Sequence, residues 1–322
     1  MIYNQWYVIL ESREVGKKKP IKVTRLNETL TLWRDSSGKV NCIADRCCHR
    51  GASLSCGKIV DDKIECPFHG FLFDGSGNVT LIPANGKSAK VPDSQRVNAY
   101  DTYENYGLIW IWWGDINKKT TRPFFFEELA DMSYSTYIDA WNCHYSRCIE
   151  NQLDVVHLPF VHKTTIGGGN KTLVNGPVVT LKDELLTFYV DNRVDDGKTK
   201  ALRPDELSDY EKLFHLQFHY PNIWQNFISD KMRIFAAFVP VDDENTLIYL
   251  RNYQNFIKTP ILKELVNYLI KLSNIVILRQ DKRIVITQIP KKSEFKMDER
   301  LIMGDKPIIE YRKHRQKLID EK

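Results

Sequence analysis

Two short stretches, each pairing a cysteine with a histidine, constrain the fold of this chain more than any other feature. Cys47 stands two residues before His49, and Cys66 stands three residues before His69. A thiolate and an imidazole this close in sequence can point at one centre from a single tight loop. A glycine follows closely in each stretch and permits the sharp turn that such a loop needs. The spacing therefore predicts a metal site held between two loops.

The order of the candidate ligands separates two interpretations. Two cysteines and two histidines could hold a structural zinc ion, but zinc fingers usually group Cys with Cys and His with His. The alternating order favours a Rieske [2Fe–2S] centre, in which the cysteines hold one iron and the histidines the other. Cys47, two residues before His49, has the ligand spacing, and its neighbour Cys48 is interpreted as packing inside the loop. The remaining cysteines are interpreted as small buried hydrophobic residues, namely Cys42, Cys56, Cys143 and Cys148.

The first 115 residues predict an all-β domain. Runs rich in β-branched and aromatic residues, such as WYVIL, TLTLWR and YGLIWIWW, alternate with turn signals. Many short strands at this spacing are typical of a small sandwich or barrel. The polar stretch at 114–123 lacks an apolar period, and we interpret it as a linker. The predicted domains are therefore residues 1–115 and residues 123–322.

Beyond the linker the pattern predicts an α+β domain. Residues 141–158 read as a helix closed by Pro159. Strand-like runs return between about 172 and 256, as the β-branched and aromatic residues there indicate. A long apolar helical period over 260–290 starts at Pro260, a residue favoured in the first helical turn. We predict a sheet that grips one long helix.

A second group of candidate metal ligands lies in the segment ENQLDVVHLPFVH. Asp154 and His157 are three residues apart and would share one face of the predicted helix. His162 follows Pro159, where the chain can turn back towards the same point. Two imidazoles and one carboxylate make the facial triad of non-haem Fe(II) oxygenases, which leaves positions open for O₂. By proximity, Asp154 is the first candidate for the carboxylate.

Both groups resemble those of the Rieske non-haem iron oxygenases, in their terminal oxygenase (α) component. CCHRGASLSCG and CPFHGFLFDGSGNV are similar to the two cluster-binding loops of that family, and ENQLDVVHLPFVH is similar to its iron-binding segment. The resemblance extends over nearly the whole chain and is strongest to the monooxygenase, O-demethylase and pheophorbide oxygenase-like members. It implies an N-terminal Rieske domain and a C-terminal catalytic domain of the helix-grip type.

The resemblance also implies roles for individual residues. The implied cluster ligands are Cys47, His49, Cys66 and His69, and the implied Fe(II) ligands are His157, His162 and Asp281. Asp154 would then orient a ligand histidine and connect it to a cluster histidine, His69, of a neighbouring subunit. Asn151 matches a family position near the iron. Glu294 and Asp298 compete with Asp281 for the place of the third ligand.

The implied function is oxidation of an organic substrate by O₂. The enzyme would hydroxylate or demethylate a small cyclic or aromatic compound at the mononuclear Fe(II). The chain has no GxGxxG motif and no plant-type ferredoxin cysteine set, so a separate reductase or ferredoxin must supply electrons. Two alternatives stay open: a Rieske-type electron-transfer protein, and the same architecture catalysing desaturation.

Composition argues against other classes. The net charge is only +5, so the sequence does not predict a nucleic-acid partner. It contains no uncharged apolar run of about 18 residues, and a membrane span is not predicted. The seven cysteines are odd in number and irregularly spaced, which favours a reducing cytoplasm. A head-to-tail homotrimer is implied by the resemblance, and a ring-closing interface is consistent with it.

Overall fold

The computed structural model describes residues 1–257 and 259–321 and divides into two compact units. One unit is Tyr3–Pro123, and the other is Phe124–Lys322 together with Met1–Ile2. The first consists of β-strands and short 3-10 turns, whereas the second combines a large sheet with α-helices. The predicted fold class, an all-β domain followed by an α+β domain, is confirmed.

The N-terminal unit is built from small antiparallel sheets. Its strands are β1 (Gln5–Glu11), β2 (Ile21–Arg25), β3 (Glu28–Arg34), β4 (Val40–Ala44), β5 (Lys58–Val60), β6 (Lys63–Glu65), β7 (Leu72–Phe73), β8 (Val79–Leu81), β9 (Thr102–Asn105) and β10 (Leu108–Trp113). The sheets have the strand orders β1-β10-β9, β2-β3-β4 and β5-β6-β7-β8. Cys47 and Cys66 belong to a buried apolar cluster with Trp33, Ile64 and Phe73, which anchors both candidate ligand loops.

The second unit is organised around one antiparallel sheet. Its strands are β11 (Ser133–Trp141), β12 (Leu173–Lys182), β13 (Leu185–Arg193), β14 (Phe214–His219), β15 (Ile223–Ser229), β16 (Met232–Pro240) and β17 (Thr246–Gln254), in the order β11-β17-β16-β15-β14-β13-β12. Side chains alternate between the two faces of each strand. On β16, for example, Ala236 and Phe238 point into the main buried cluster of this unit.

The helices cover the face of the sheet that carries this cluster. They are α1 (Tyr145–Leu153), α2 (Leu158–Val161), α3 (Pro260–Val285) and α4 (Lys306–Asp320). The long helix α3 follows Thr259 as its N-cap, with proline in its first turn as predicted. Leu278 of α3 and Tyr311 of α4 belong to the same core as the sheet residues. Within the described residues, no helix is both long and apolar enough to cross a membrane.

The buried side of α3 is more polar than its apolar period suggests. Asn267, Asn274 and Asp281 are all buried, and they recur at seven-residue spacing along one side of the helix. The Nε2 of Gln254 donates to the Asn267 carboxamide oxygen over 3.3 Å, and Asn274 donates to Asn252. Much of the apolar surface of the helix is exposed instead, at Ile261, Leu262, Leu265, Tyr268, Leu269, Leu272 and Val276.

Several predictions about this unit were wrong. The helix predicted over 141–158 ends at Leu153, because Asp154 is extended (φ −81°, ψ 117°), and a separate short helix follows. Asp154 and His157 therefore do not share a helix face. Helix α4 was not predicted.

The predictions for the cysteines outside the candidate ligand set were partly wrong. Cys48 and Cys56 are exposed, not packed inside, whereas Cys42, Cys143 and Cys148 are buried as expected.

A buried network of charges joins α1 to α4. Arg312 donates to Glu150 over 2.7 and 3.0 Å and to Glu299 over 2.7 Å. Arg147 donates to the same two carboxylates over 3.0 and 2.8 Å. Two cations thus meet two anions, so the cluster is formally neutral and its hydrogen bonds are well satisfied, which is what buried charges require. The network fixes the end of the chain against the helix that leads to Asp154.

Candidate metal centres

The two candidate cluster loops have matching backbone turns. In the first, the Gly51 amide donates to the Cys47 carbonyl over 2.9 Å, and in the second, Gly70 donates to Cys66 over 3.0 Å. Both glycines have φ of +73°, in the left-handed region that side chains disfavour. The sequence therefore folds each loop into the same tight turn, with its cysteine at the start.

The side chains of these loops divide into a buried half and an exposed half. Cys47 and Cys66 are 3% and 1% exposed, whereas both histidines lie at the surface. The imidazoles of His49 and His69 have their centroids 4.6 Å apart, and His49 stacks on Phe71. Burial raises the pKa of Cys47 to about 11, and the nearby Cys66 sulfur adds to this rise. Two buried sulfurs facing two surface imidazoles are a donor set that fits a metal centre.

The second centre forms in the C-terminal unit. One ligand atom each from His157, His162 and Asp281 lies within 4.8 Å of the others. His157 and His162 bracket the short helix α2, as its N-cap and C-cap, and Asp281 projects from α3. Asp281 Oδ1 is 2.9 Å from His162 Nε2 and 3.4 Å from His157 Nε2. The turn after Leu153 and the covering helix bring these side chains to one point.

These residues fit a cation. Asp281 is 3% exposed, and its Oδ1 makes no well-aligned hydrogen bond to any described residue. A buried carboxylate oxygen that faces two imidazole nitrogens without an aligned hydrogen bond is poorly satisfied, and a metal ion between the three side chains would satisfy it. Two imidazoles and one carboxylate are the donor set of non-haem Fe(II) sites. The competing carboxylates, Glu294 and Asp298, instead face Lys292 and Arg300 in exposed ion pairs.

The electrostatics of the triad follow from this crowding. Burial alone would lower the pKa of His157, but Asp154 and Asp281 outweigh it and raise the pKa to about 9. Burial alone would raise the pKa of Asp281, but the neighbouring imidazoles outweigh it and lower that pKa. Without a bound cation, the histidine and the carboxylate therefore compensate each other as an ion pair.

Two further side chains orient the candidate ligands. The carboxylate of Asp154 lies 3.5 Å from His157 Nδ1 and accepts hydrogen bonds from the amides of Val156 and His157. Gln280 Oε1 lies 2.8 Å from His162 Nδ1, which leaves Nε2 to face Asp281. A hydrogen bond like that of Gln280 fixes the ring orientation of a metal-binding histidine. Asp154 faces His157 at ion-pair distance, and His157 Nδ1 makes no aligned hydrogen bond within the described residues. Gln280 was not predicted from the sequence, although it directly precedes Asp281.

Asn151 lies on α1, three residues before Asp154. Its Nδ2 atom is buried and has no hydrogen-bond partner within the described residues. A buried amide group without a partner is unusual in a folded protein and indicates an unfilled requirement. The Asn151 amide is therefore free to donate a hydrogen bond to a group outside the described residues.

Both units of the chain match known protein families. Residues 5–101 match the Rieske [2Fe–2S] domain, and residues 141–321 match the vanillate O-demethylase oxygenase C-terminal domain. Among curated proteins, methylxanthine N1-demethylase NdmA of Pseudomonas putida is 27% identical over 94% of this chain and 84% of its own length. Protein TIC 55 of Arabidopsis thaliana is 30% identical over 50% of this chain and 30% of its own.

The fold also matches a solved structure. Pseudomonas putida NdmA superposes with a TM-score of 0.79 at 23% identity, over 98% of this chain and 90% of that one. The chain spans about half or less of the length of several curated relatives that it matches. The Rieske domain match identifies a [2Fe–2S] cluster as cofactor, and the oxygenase domain match identifies a mononuclear Fe(II). This chain belongs to the Rieske non-haem iron oxygenases, in the group that carries the vanillate O-demethylase oxygenase C-terminal domain.

Proposed function

We propose that this chain is a terminal oxygenase that hydroxylates or demethylates a small cyclic or aromatic substrate. The observation that carries the proposal is the triad of His157, His162 and Asp281, in a chain that also has two Rieske loops. An electron-transfer protein would need the cluster alone. The buried triad, with its unsatisfied carboxylate oxygen, favours the oxygenase over that alternative.

In this proposal His157, His162 and Asp281 hold Fe(II), which when bound supplies the site for O₂ activation. Gln280 holds the His162 ring so that Nε2 faces the metal, and the Asp154 carboxylate faces His157 Nδ1 at an ion-pair distance of 3.5 Å. Asn151 would donate a hydrogen bond beside the iron. Cys47, His49, Cys66 and His69 would hold the cluster, whose exposed histidine side suits electron exchange at the surface.

Several features of the assembled enzyme belong to the same proposal. Electrons would come from a separate reductase or ferredoxin. We propose a homotrimer in which Asp154 contacts the cluster side of a neighbour, and a cytoplasmic location suited to seven unpaired cysteines. We also retain the division into a cluster domain, residues 1–115, and a catalytic domain, residues 123–322. Sedimentation analysis of the purified protein tests the trimer directly.

The proposal is tested by metal content and by coupled turnover. Anaerobically purified protein should contain roughly three irons and two sulfides per chain. With a reductase and a methoxyarene panel, it should consume O₂ only when a substrate is present. His157→Ala should keep the cluster spectrum and lose turnover, whereas His215→Ala, on β14 outside the triad, should retain both. Turnover that survives in His157→Ala would overturn the assignment, and product analysis would separate hydroxylation from desaturation.

A further inference from the structure

Two neighbouring side chains on β15 carry buried polar atoms with unmet hydrogen-bonding needs. Trp224 is only 3% exposed, and neither its Nε1 nor the Oδ1 of Asn226 has a hydrogen-bond partner in the described part of the chain. Buried indole N–H groups normally find a partner. A buried donor and a buried acceptor without partners cost free energy. We therefore expect a ligand that hydrogen-bonds to both Trp224 Nε1 and Asn226 Oδ1.

The strand register places this pair on the face of the sheet that the helices cover. Trp224 and Asn226 are two residues apart and so point to the same side. Asn226 is opposite Ile234, and Ile234 is opposite Asn252, which accepts a hydrogen bond from Asn274 of α3. Trp224 shares its buried cluster with Leu278 of the same helix. Asp281, the candidate iron ligand, follows Leu278 by three residues, so the unpaired atoms lie on the covered side that also holds the triad.

This face of the sheet carries almost no charge. Among the described strand residues, the register places one charged side chain on this face, Asp139. Lys282 of α3 forms an ion pair with it over 3.1 Å. Arg233 and Arg251 belong to the opposite face, where they lie against the rings of Phe227 and Tyr134. Lys282, which reaches this face from α3, is already paired with Asp139. A carboxylate or sulfonate held against Trp224 and Asn226 would therefore meet no cation from the sheet to offset the cost of its desolvation.

We propose that Trp224 and Asn226 bind the polar edge of a neutral substrate. The indole N–H would donate to a carbonyl oxygen, and Asn226 Oδ1 would accept from an adjacent N–H or O–H, as an amide or lactam provides. This inference rests on the proposed oxygenase function and adds a substrate class to it: uncharged ring compounds with neighbouring acceptor and donor groups, and not organic anions. Trp224 and Asn226 are positioning residues for that substrate.

A matched pair of probes tests the inference without turnover. Para-methoxybenzamide and para-methoxybenzoate share a ring and a methyl ether, and they differ in charge. Calorimetric titration of the oxidised holoenzyme, with no reductase present, should show that the amide binds and that the benzoate binds at least about tenfold more weakly. Equal or tighter binding of the benzoate, or no binding of the amide at millimolar concentration, would overturn the proposal.

Variants locate the preference. Trp224→Phe keeps an aromatic ring and removes the donor, and Asn226→Leu removes the acceptor; each should weaken amide binding about tenfold. Gln217→Leu, on the opposite face of the sheet, is the control and should leave amide affinity unchanged. Unchanged affinity in both test variants would contradict the inference. Failure of the oxygenase proposal would look different, because O₂ uptake would be absent while this binding preference persisted.

Discussion

The two candidate metal centres differ in how the chain assembles them. The cluster loops are local: each closes on itself through one glycine turn, and its cysteine starts that turn. The iron triad is distributed, because Asp281 reaches His157 and His162 only when α3 covers the sheet. A local site depends on a few backbone hydrogen bonds, whereas a distributed site depends on the packing of the whole unit. The two should therefore fail for different reasons.

The two centres also differ in solvent exposure. The candidate cluster histidines are both exposed. In the candidate triad, His162 and Asp281 are buried, His157 is half-buried, and Gln280 supports His162 through a hydrogen bond. Exposure suits a group that exchanges electrons with a partner, and burial suits chemistry that must exclude water. Changes in the cluster loops should thus leave the triad intact, and changes in the helical scaffold should affect the triad first.

The largest effect is expected for Cys66→Ser, which removes a proposed cluster ligand. We expect complete loss of the cluster absorbance and EPR signals, because the remaining ligands cannot hold both irons. Iron content should fall from roughly three to roughly one per chain, since the triad lies in the other unit. Cys56→Ser, at an exposed cysteine, is the control and should leave the spectrum unchanged. A cluster that persists in Cys66→Ser would remove Cys66 from the ligand set.

Arg312→Ala tests how much the buried charge network between α1 and α4 stabilises the unit that holds the candidate triad. Removing this guanidinium leaves Glu150 buried with one partner fewer, so the free energy of unfolding should fall by about 3–5 kcal/mol. Urea denaturation followed by far-UV circular dichroism measures the change. Lys313→Ala, at the exposed neighbouring position, should change stability by less than about 0.5 kcal/mol. Equal effects of the two substitutions would mean that the network contributes nothing specific.

Gln280→Ala should weaken the iron site without unfolding the protein. The His162 ring would lose the acceptor at Nδ1, and loss of such partners typically lowers metal affinity about 10–100-fold. Competition with a chelator, followed by iron analysis, measures the affinity, and the cluster absorbance should stay constant. Arg279→Ala, one residue earlier and exposed, serves as the matched substitution. Retained iron affinity in Gln280→Ala would show that the ring orientation is fixed by packing alone.

The smallest effect concerns acid stability. Burial alone would raise the pKa of Glu299, but hydrogen bonds from Arg312 and Arg147 outweigh it and lower the pKa below its usual 4.5. A depressed folded-state pKa stabilises the protein above the unfolded pKa, and this stabilisation is lost as the pH falls through the folded value. On acidification below about pH 4.5, the free energy of unfolding should therefore fall less in Glu299→Gln than in the wild type. We expect the two falls to differ by about 1 kcal/mol or less. Urea midpoints at about pH 6 and about pH 4 measure this difference; an identical acid loss in both proteins would contradict it.

Sequence reasoning reached the local features more easily than the distributed ones. The Cys-His spacing and the following glycines predicted the cluster loops, because all the information lies within each loop. Pro260 predicted the start of α3 correctly. The helix over 141–158 was predicted too long, because the Asp154 side chain binds the amides of Val156 and His157 and competes with the helical hydrogen bonds.

Long-range partners explain the other misses. Helix α4 reads as a charged tail in the sequence, yet Arg312 and Arg315 are 4% exposed, because their partners lie in distant segments. Trp224 and Asn226 carry no local signal, since only the register of the sheet reveals that they share a face. Hydropathy cannot anticipate a buried arginine or an unpaired indole when the group that satisfies it is far along the chain or in a ligand.

The polar residues on the inner side of α3 set a fixed length within this helix. Asn274 donates a hydrogen bond to Asn252 of the sheet. Asp281, seven residues after Asn274 on the same helix, contacts His157 and His162. Inserting or deleting one residue between Asn274 and Asp281 would rotate the carboxylate by about 100° about the helix axis and point it away from the imidazoles. The stretch from Asn274 to Asp281 must therefore keep its residue count if the three candidate ligands are to stay together.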